Sequence, residues 1–118
     1  MQSVEKSFVS STYWTERVGP VAALATLEKM AQTDVAEQID ARGQQLLALW
    51  QRVAEQCGLP IQLADQYPCF AGFVFDHPQA AELGREFVKQ MARRDILARQ
   101  TVYLTLAHTE QELEHYEA

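Results

Sequence analysis

Apolar residues follow a helical period through the first half of the chain. Val21, Leu24 and Leu27 (or Glu28) recur at spacings of three or four, Ala31 follows, and alanines lie between them. This pattern predicts an amphipathic helix over about residues 15–31. Pro20 falls inside that span, where a proline past the first turn would remove a backbone hydrogen bond. The helix therefore either kinks at this proline or begins at the preceding glycine.

A second, longer helix is predicted over about residues 34–57. Thr33 or Asp34 caps its start, and Glu37 stands three residues after Asp34, as in a capping box. Gly58 ends it, because glycine suits a left-handed helix cap and the proline that follows shortly cannot continue a helix. The apolar stripe of this helix consists of Val35, Ile39, Gly43, Leu46, Trp50, Val53 and Cys57.

The second half of the chain mixes strand and helix patterns. Residues 61–64 alternate and residues 69–75 are apolar throughout, so both are predicted strands, the second one central or covered on both faces. A helix begins at Pro78, residues 102–106 alternate as a last strand, and residues 109–112 form a capping box that opens a terminal helix.

The predicted fold class is α+β. A short β-prone segment at residues 5–10 precedes the other elements, which gives the order βααββαβα. We expect a single domain over residues 1–118, with a mainly antiparallel sheet covered by helices. A chain of this length can bury one core without metal or disulfide staples.

Charge and composition exclude several classes of function. The chain has 10 Lys+Arg against 16 Asp+Glu, a net charge of −6, and no basic stripe that could track nucleic-acid phosphates. No apolar run approaches the roughly 20 residues that span a bilayer, and the N-terminus lacks the apolar core of a signal peptide. We therefore expect a soluble, cytoplasmic protein whose partners include neither nucleic acid nor membrane.

The residues alone show no complete active site. The chain has no phosphate-binding loop, dinucleotide fingerprint, nucleophile elbow or zinc-protease motif. Cys57 and Cys69 form no metal-binding pair, and His77 and His115 are expected at the surface. We predict no metal site and no catalytic residue in this chain.

One polar cluster precedes the first predicted helix. It is the segment SSTYWTER, residues 10–17, whose hydroxyls can cap the helix or join its free N–H groups in holding a phosphate. From the residues alone, capping is the favoured explanation. Tyr13 and Trp14 would then be core or interface aromatics.

Three segments together resemble a known enzyme family. Residues 8–27, FVSSTYWTERVGPVAALATL, are similar to the segment that follows the catalytic lysine in class III pyridoxal-phosphate (PLP) aminotransferases, above all in the glutamate-1-semialdehyde aminomutase-like branch. Residues 87–98 and 102–113 resemble the C-terminal small domain of the same family. The resemblance implies the small C-terminal domain of a fold-type I PLP-dependent transferase, which works as a homodimer.

The resemblance also implies where the cofactor would be held. In the family, a threonine before this helix binds the phosphate of PLP in the neighbouring subunit, and that position falls on Thr12, with Ser11 as a second candidate. Glu16, Arg17 and Val18 stand where the family usually has Gly-Asn-Pro. Asp95 occupies a position that is commonly glycine, so it is expected in a left-handed conformation.

His108 follows the last predicted strand, where the resemblance gives it one possible role and its position another. In the family context it would shape the edge of the substrate entrance. A histidine at a strand-to-helix turn is more often a hydrogen-bonded structural residue, so both interpretations stay open.

The lysine that forms the Schiff base in this family has no counterpart here. Lys6, Lys29 and Lys89 are the only lysines, and none lies in the strand-turn setting that the family uses. We expect the chain to correspond to the last quarter of an aminotransferase or aminomutase that acts on a small amino acid, amino sugar or keto substrate. By itself, without the large catalytic domain, it should be inactive and should self-associate through exposed apolar residues.

A second hypothesis treats the chain as a stand-alone, non-catalytic interaction or ligand-binding module. Phe70, Phe73, Phe75 and the Tyr13–Trp14 pair would then form the contact surface.

Overall fold

The computed structural model describes residues 16–64 and 67–117. The chain divides into two units, Met1–Asp34 and Val35–Ala118. The predicted strand at residues 5–10 lies outside the described residues. The elements that are described run in the order ααββαβα, which confirms a small α+β fold with a three-stranded antiparallel sheet and four helices.

The first unit contains helix α1, Val18–Gln32. Pro20 is the third residue of its first turn, where a backbone N–H would have no partner within the helix, so the proline is tolerated. Of the two predicted alternatives, a start next to Gly19 and Pro20 is therefore correct to within one residue. The Glu16 carboxylate accepts hydrogen bonds from the N–H groups of Val18 and Gly19, at 2.6 and 3.1 Å.

Helix α2, Val35–Cys57, forms the spine of the second unit. Its buried residues are Gly43, Leu46, Leu49 and Trp50. Cys57 is exposed, so its assignment to the apolar stripe was wrong: it lies in the final turn, beside an open cavity. Gly58 has φ +64°, and Leu59 N–H donates to the Ala54 carbonyl at 3.0 Å, so the predicted left-handed cap is confirmed.

The sheet consists of β1 (Ile61–Leu63), β2 (Phe70–Phe75) and β3 (Thr101–Tyr103), in that spatial order. β2 is the central strand, as expected. The last strand ends earlier than predicted. The N–H of Thr105 donates to His108 Nδ1 at 3.0 Å, and the carbonyl of Thr105 accepts a hydrogen bond from the N–H of His108. Thr105 therefore belongs to a turn and not to the ladder.

Within the second unit, the helices pack on one face of the sheet. The core combines Leu46, Leu49 and Trp50 of α2 with Ala71 and Phe73 of β2 and Leu104. The opposite face carries Phe70, Gly72 and Val74 of β2 beside Tyr103, and Val74 is 57% exposed. Within the second unit, the core-forming helices pack on the Ala71 and Phe73 side of β2. Of the two predicted alternatives for this strand, the central position is confirmed.

Burial also corrects the contact surface of the stand-alone hypothesis. Phe73 is buried in the core, where its ring lies 4.8 Å from that of Trp50. Phe75 packs against the same core, and its ring contacts those of Phe73 and Phe87. Of the three phenylalanines, Phe70 alone lies on the face of the sheet opposite this core, where it stacks on Tyr103. Tyr13 and Trp14 lie outside the described residues.

Helix α3, Ala80–Ala92, begins two residues later than predicted. Pro78 lies in the preceding turn, because the His77 ring and carbonyl accept hydrogen bonds from the N–H groups of Gln79 and Ala80, at 3.1 and 3.0 Å. After the helix, Asp95 has φ +61°, and Ile96 N–H donates to the Met91 carbonyl at 3.0 Å. The left-handed conformation predicted for Asp95 is therefore confirmed.

The last helix, α4, spans Glu110–Glu117. The Glu112 carboxylate accepts a hydrogen bond from Thr109 N–H at 2.9 Å and contacts the hydroxyl of Thr109, which confirms the predicted capping box. Within the range that the structure describes, no helix has the length and apolar character needed to cross a membrane.

Candidate functional site

The two residues predicted to bind phosphate, Thr12 and Ser11, lie outside the described residues. The adjacent start of α1 is described, and its amides already have acceptors. Val18 and Gly19 donate to Glu16, Pro20 has no N–H, and Val21 donates to the Arg17 carbonyl. The carboxylate of Glu16 thus occupies the position that an anion would take at the positive end of a helix.

One cavity of the second unit lies beside the edge of β3 that faces away from β2. It has a volume of about 620 Å³ and opens between β3, the preceding segment 95–99 and helix α4. We call it the edge groove. Its apolar lining comes from Leu46, Val102, Leu104, Leu113 and Tyr116, and its polar lining includes Arg99, His108, Gln111, Glu112 and His115.

His108 stands at the end of the edge groove in a fixed orientation. Its Nδ1 accepts a hydrogen bond from Thr105 N–H at 3.0 Å, and the hydroxyl of Thr105 lies 3.0 Å from the same nitrogen. Because Nδ1 accepts from this backbone N–H, Nε2 is the ring nitrogen that is left for another contact. This geometry favours the structural role for His108, although the residue also lines the groove.

Helix α4 forms one wall of the edge groove and is held by side chains far away in sequence. The indole Nε1 of Trp50 donates to the hydroxyl of Tyr116 at 3.2 Å. Arg52 pairs with Glu117 at 2.5 Å, and Arg42 donates to the carbonyl of Thr105 at 3.3 Å. The sequence patterns do not reveal these three contacts, since more than sixty residues separate the partners of each.

A second cavity, of about 260 Å³, lies between α2, the sheet and α3. Its walls include the aromatic rings of Trp50, Phe73, Phe75 and Phe87, and its rim carries Arg94 and Glu117. Such a lining suits an apolar group, and the free thiol of Cys57 also lies beside it.

Among residues 16–64 and 67–117, three titratable groups have shifted pKa values. The hydrogen bond from the Thr109 hydroxyl lowers the pKa of Glu112, and a hydrogen bond from Gln90 lowers the pKa of Glu86 on α3. Burial raises the pKa of Tyr116, partly offset by the hydrogen bond from Trp50. In each case the cause is a local structural contact, which is typical of capping and packing rather than of acid-base catalysis.

Other reactive residue types are dispersed over the described ranges. Cys57 and Cys69 are free thiols, and His77 and His115 are exposed, as expected for these histidines. No three His, Cys, Asp or Glu side chains of residues 16–64 and 67–117 are grouped so that they could hold a metal ion.

Comparison with known proteins connects the chain to an aminotransferase. The chain is 25% identical over 114 residues to the 3-aminobutyryl-CoA aminotransferase of Cloacimonas acidaminovorans (strain Evry). The aligned region covers 92% of this chain and 27% of that enzyme, so the chain spans little more than a quarter of its relative's length. No family model matches the chain, and no solved structure matches it.

The similarity agrees with the aminotransferase resemblance of residues 8–27, 87–98 and 102–113. It extends over almost the whole chain and so includes both units of the structure. The similarity supports a relationship to aminotransferases in general.

Proposed function

We propose that the chain is the C-terminal small domain of a class III PLP-dependent aminotransferase of the glutamate-1-semialdehyde aminomutase-like branch, which acts as a homodimer. The observation that carries this proposal is the similarity to an aminotransferase over 92% of the chain. The 20-residue segment at residues 8–27 supports the choice of class and branch. The substrate would be a small amino acid or an amino-sugar or keto compound.

The described residues do not form a cradle for the cofactor phosphate. The first N–H groups of α1 donate to Glu16, whose negative charge would repel a phosphate dianion at this helix end. In the proposed dimer, the resemblance assigns the phosphate contact from this chain to Thr12, with Ser11 as a second candidate. When bound, PLP supplies the chemistry of amino-group transfer, and the protein contributes binding and orientation.

The reacting lysine of the proposed enzyme would come from outside these 118 residues. Lys29 is exposed in the last turn of α1, and Lys89 lies on the surface of α3, 3.5 Å from Glu86. Neither lysine is held in a cavity of the described residues. This chain by itself should therefore bind PLP weakly and should not transfer amino groups.

The test compares the 118-residue chain with the complete subunit that contains it. Each is titrated with PLP and then treated with borohydride, which fixes the cofactor to a lysine. We expect trapping in the complete subunit alone. Binding of equal strength by the isolated chain, or the lack of trapping in the complete subunit, would contradict the proposal.

A pair of threonine variants tests the phosphate contact in the complete subunit. Thr12→Ala should weaken PLP binding by about tenfold or more, as expected for the loss of one hydrogen bond to a charged group. Thr26→Ala is the matched control, because the Thr26 hydroxyl donates to the Ala22 carbonyl within α1 at 2.8 Å. If both variants bind PLP like the wild type, Thr12 is not the anchor.

A further inference from the structure

Four aromatic rings form walls of the smaller cavity of the second unit. This cavity of about 260 Å³ lies between α2, the sheet and α3, and we call it the aromatic pocket. Its rings belong to Trp50, Phe73, Phe75 and Phe87. The rings of Phe75 and Phe87 lie edge to face against Phe73, at centroid distances of 5.2 and 5.5 Å. Aromatic rings prefer such edge-to-face contacts, so these walls can receive a further flat ring in the same way.

The aromatic pocket has room for two fused rings. A dry apolar cavity of about 150 Å³ holds a benzene molecule, and the aromatic pocket is larger. Aliphatic side chains, among them Val53, Ile61 and Met91, complete its lining. The polar atoms of Trp50 and Tyr116 bind each other at 3.2 Å. The part of a ligand that enters the pocket should therefore be apolar.

The charged groups at the rim favour a ligand with a negative charge. Two charged side chains line the pocket, Arg94 and Glu117. The Glu117 carboxylate is paired with Arg52 at 2.5 Å, so its charge is already balanced. The Arg94 guanidinium donates to the Gln90 carbonyl at 3.4 Å, and no carboxylate in the part of the chain that the structure describes forms an ion pair with it. A guanidinium in this position can bind a carboxylate through two parallel hydrogen bonds.

We propose that the aromatic pocket binds a flat, two-ring aromatic carboxylate. Its rings lie among those of Trp50, Phe73 and Phe87, and its carboxylate stays at the rim, where it accepts hydrogen bonds from Arg94. Naphthalene-2-carboxylate represents this class of ligand. An uncharged ligand of the same shape would make the same ring contacts but would leave Arg94 without a counter-ion. The ligand class follows from this cavity alone and holds whether or not the chain belongs to an aminotransferase.

Isothermal titration calorimetry with the 118-residue chain compares three ligands of similar shape. Naphthalene-2-carboxylate should bind with a Kd below about 1 mM. At an ionic strength of about 0.01 M, where charges act over roughly 30 Å, it should bind about fivefold more tightly than the neutral naphthalene-2-carboxamide. The cationic naphthylmethylammonium should bind more weakly than either. No binding of the carboxylate at about 1 mM, equal binding of all three, or preference for the cation would overturn the proposal.

Two neighbouring arginines separate the charge contact from the ring contacts. Arg94→Gln removes the positive charge at the rim, whereas Arg93→Gln removes the same charge from an exposed side chain that does not line the pocket. The preference for the carboxylate over the amide should disappear in Arg94→Gln and stay within about twofold of the wild type in Arg93→Gln. Because two affinities are compared within each variant, a general loss of stability does not imitate this effect. An unchanged preference in Arg94→Gln would overturn the role of Arg94.

The pocket can also be filled from within. Ala54 lines it from α2, and Ala54→Leu places a larger side chain there. The affinity for naphthalene-2-carboxylate should fall by about tenfold or more. Ala48→Leu is the matched control, because Ala48 is an exposed residue of α2 outside this pocket, and its affinity should stay within about twofold of the wild type. Undiminished binding by folded Ala54→Leu protein would overturn the proposal.

The free thiol of Cys57 locates the ligand in the wild-type chain, so this measurement does not depend on the folding of a variant. Cys57 is exposed and lines the pocket, whereas Cys69 does not line it. Alkylation by iodoacetamide is followed at each cysteine by mass spectrometry. Saturating naphthalene-2-carboxylate should slow the reaction of Cys57 about fivefold and that of Cys69 by less than about twofold, because access controls thiol reactivity. Equal slowing at both cysteines, or at neither, would place the ligand elsewhere and overturn the proposal.

Discussion

Gly43 determines how closely α2 approaches the turn before β2. A Cβ atom at this position would lie 2.0 Å from the carbonyl oxygen of Pro68 and 3.0 Å from the backbone N of Cys69. Both neighbours are main-chain atoms, which cannot rotate away as a side chain can. The helix and the turn therefore touch backbone to backbone, and only glycine fits between them.

Gly43→Ala should destabilise the second unit by about 2–3 kcal/mol, because the added methyl group overpacks a buried contact. Gly84→Ala in α3 is the control. There the added Cβ would meet the end of the flexible Gln100 side chain at 2.9 Å, and alanine gains about 0.5–1 kcal/mol over glycine in a helix. Urea unfolding should thus move the two midpoints in opposite directions. Equal midpoints would show that α2 can withdraw from Pro68.

Local backbone chemistry made several residues predictable from the sequence. The left-handed conformations of Gly58 and Asp95 follow from the conformational preferences of these residue types after a helix. The hydrogen bonds that Glu16 accepts at the start of α1 could not be predicted in the same way. A carboxylate and the neighbouring hydroxyls can accept hydrogen bonds from the same backbone N–H groups, and the sequence does not show which of them does. The predicted role of Thr12 stays a prediction.

At the level of elements, α4 is the helix of the second unit whose stability depends most on tertiary contacts. Eight residues are too few for a stable isolated helix in water. Its capping box stabilises its first turn, and the bond between Trp50 and Tyr116 and the pair of Arg52 with Glu117 hold it to α2. Loss of any one of these contacts should destabilise α4, and with it the edge groove, before the rest of the second unit.

The capping box makes the stability of α4 depend on pH. The hydrogen bond from Thr109 lowers the folded-state pKa of Glu112 below its ordinary value of 4.5. The capping contribution is therefore fully present above that value, and it is lost as the pH falls through the lower, folded-state pKa.

Glu112→Gln should reduce the thermal stability of α4 at neutral pH, and its difference from the wild type should shrink as the pH falls through the lowered pKa of Glu112. Glu114→Gln removes the same charge from the same helix outside the capping box and should have a smaller effect at neutral pH. Circular dichroism melts at several pH values would measure both. A constant difference between Glu112→Gln and the wild type at every pH would mean that the carboxylate does not cap the helix.

Element types were predicted more reliably than element ends, and the reasons are physical. The long apolar period of α2 and the capping signals around it placed its ends within a residue. The late start of α3 and the early end of β3 have a common cause, since in both places a histidine ring accepts a backbone N–H and extends a turn. Propensity rules do not anticipate such side-chain acceptors.

At the scale of the whole molecule, the most unusual feature is the exposed apolar surface of α1. None of its residues is buried, and Val18, Val21, Leu24 and Leu27 are each more than 60% exposed. Its first ten residues carry no charge. A helix with apolar residues on all sides normally lies in a protein interior. In the proposed enzyme dimer, other parts of the protein would bury the apolar side chains of α1.

Self-association of the 118-residue chain should therefore depend on α1. Leu24→Glu should weaken it about tenfold by placing a charge among exposed apolar residues, and sedimentation velocity over a range of concentrations would measure the change. Gln32→Glu adds the same charge at the polar end of the helix and should leave association almost unchanged. A chain that stays monomeric at all concentrations would refute this prediction.

The candidate site shows where prediction from the sequence stops. The resemblance could name Thr12 and Ser11, because a contiguous motif contains them. The edge groove could not be found in this way, since its walls come from α2, the segment after α3, β3 and α4. Its shape exists only after long-range packing has brought these four segments together.

Because of the hydrogen bond between Trp50 and Tyr116, the fluorescence of Trp50 can report whether α4 is docked. Trp14 is the only other tryptophan, so a Trp14→Phe protein would have a single indole emitter. That indole is buried against Phe73 and donates its N–H to the last turn of α4. Detachment of the terminal helix would bring water to the ring and shift its fluorescence to longer wavelengths, so the docking of eight residues could be followed in real time without an added dye.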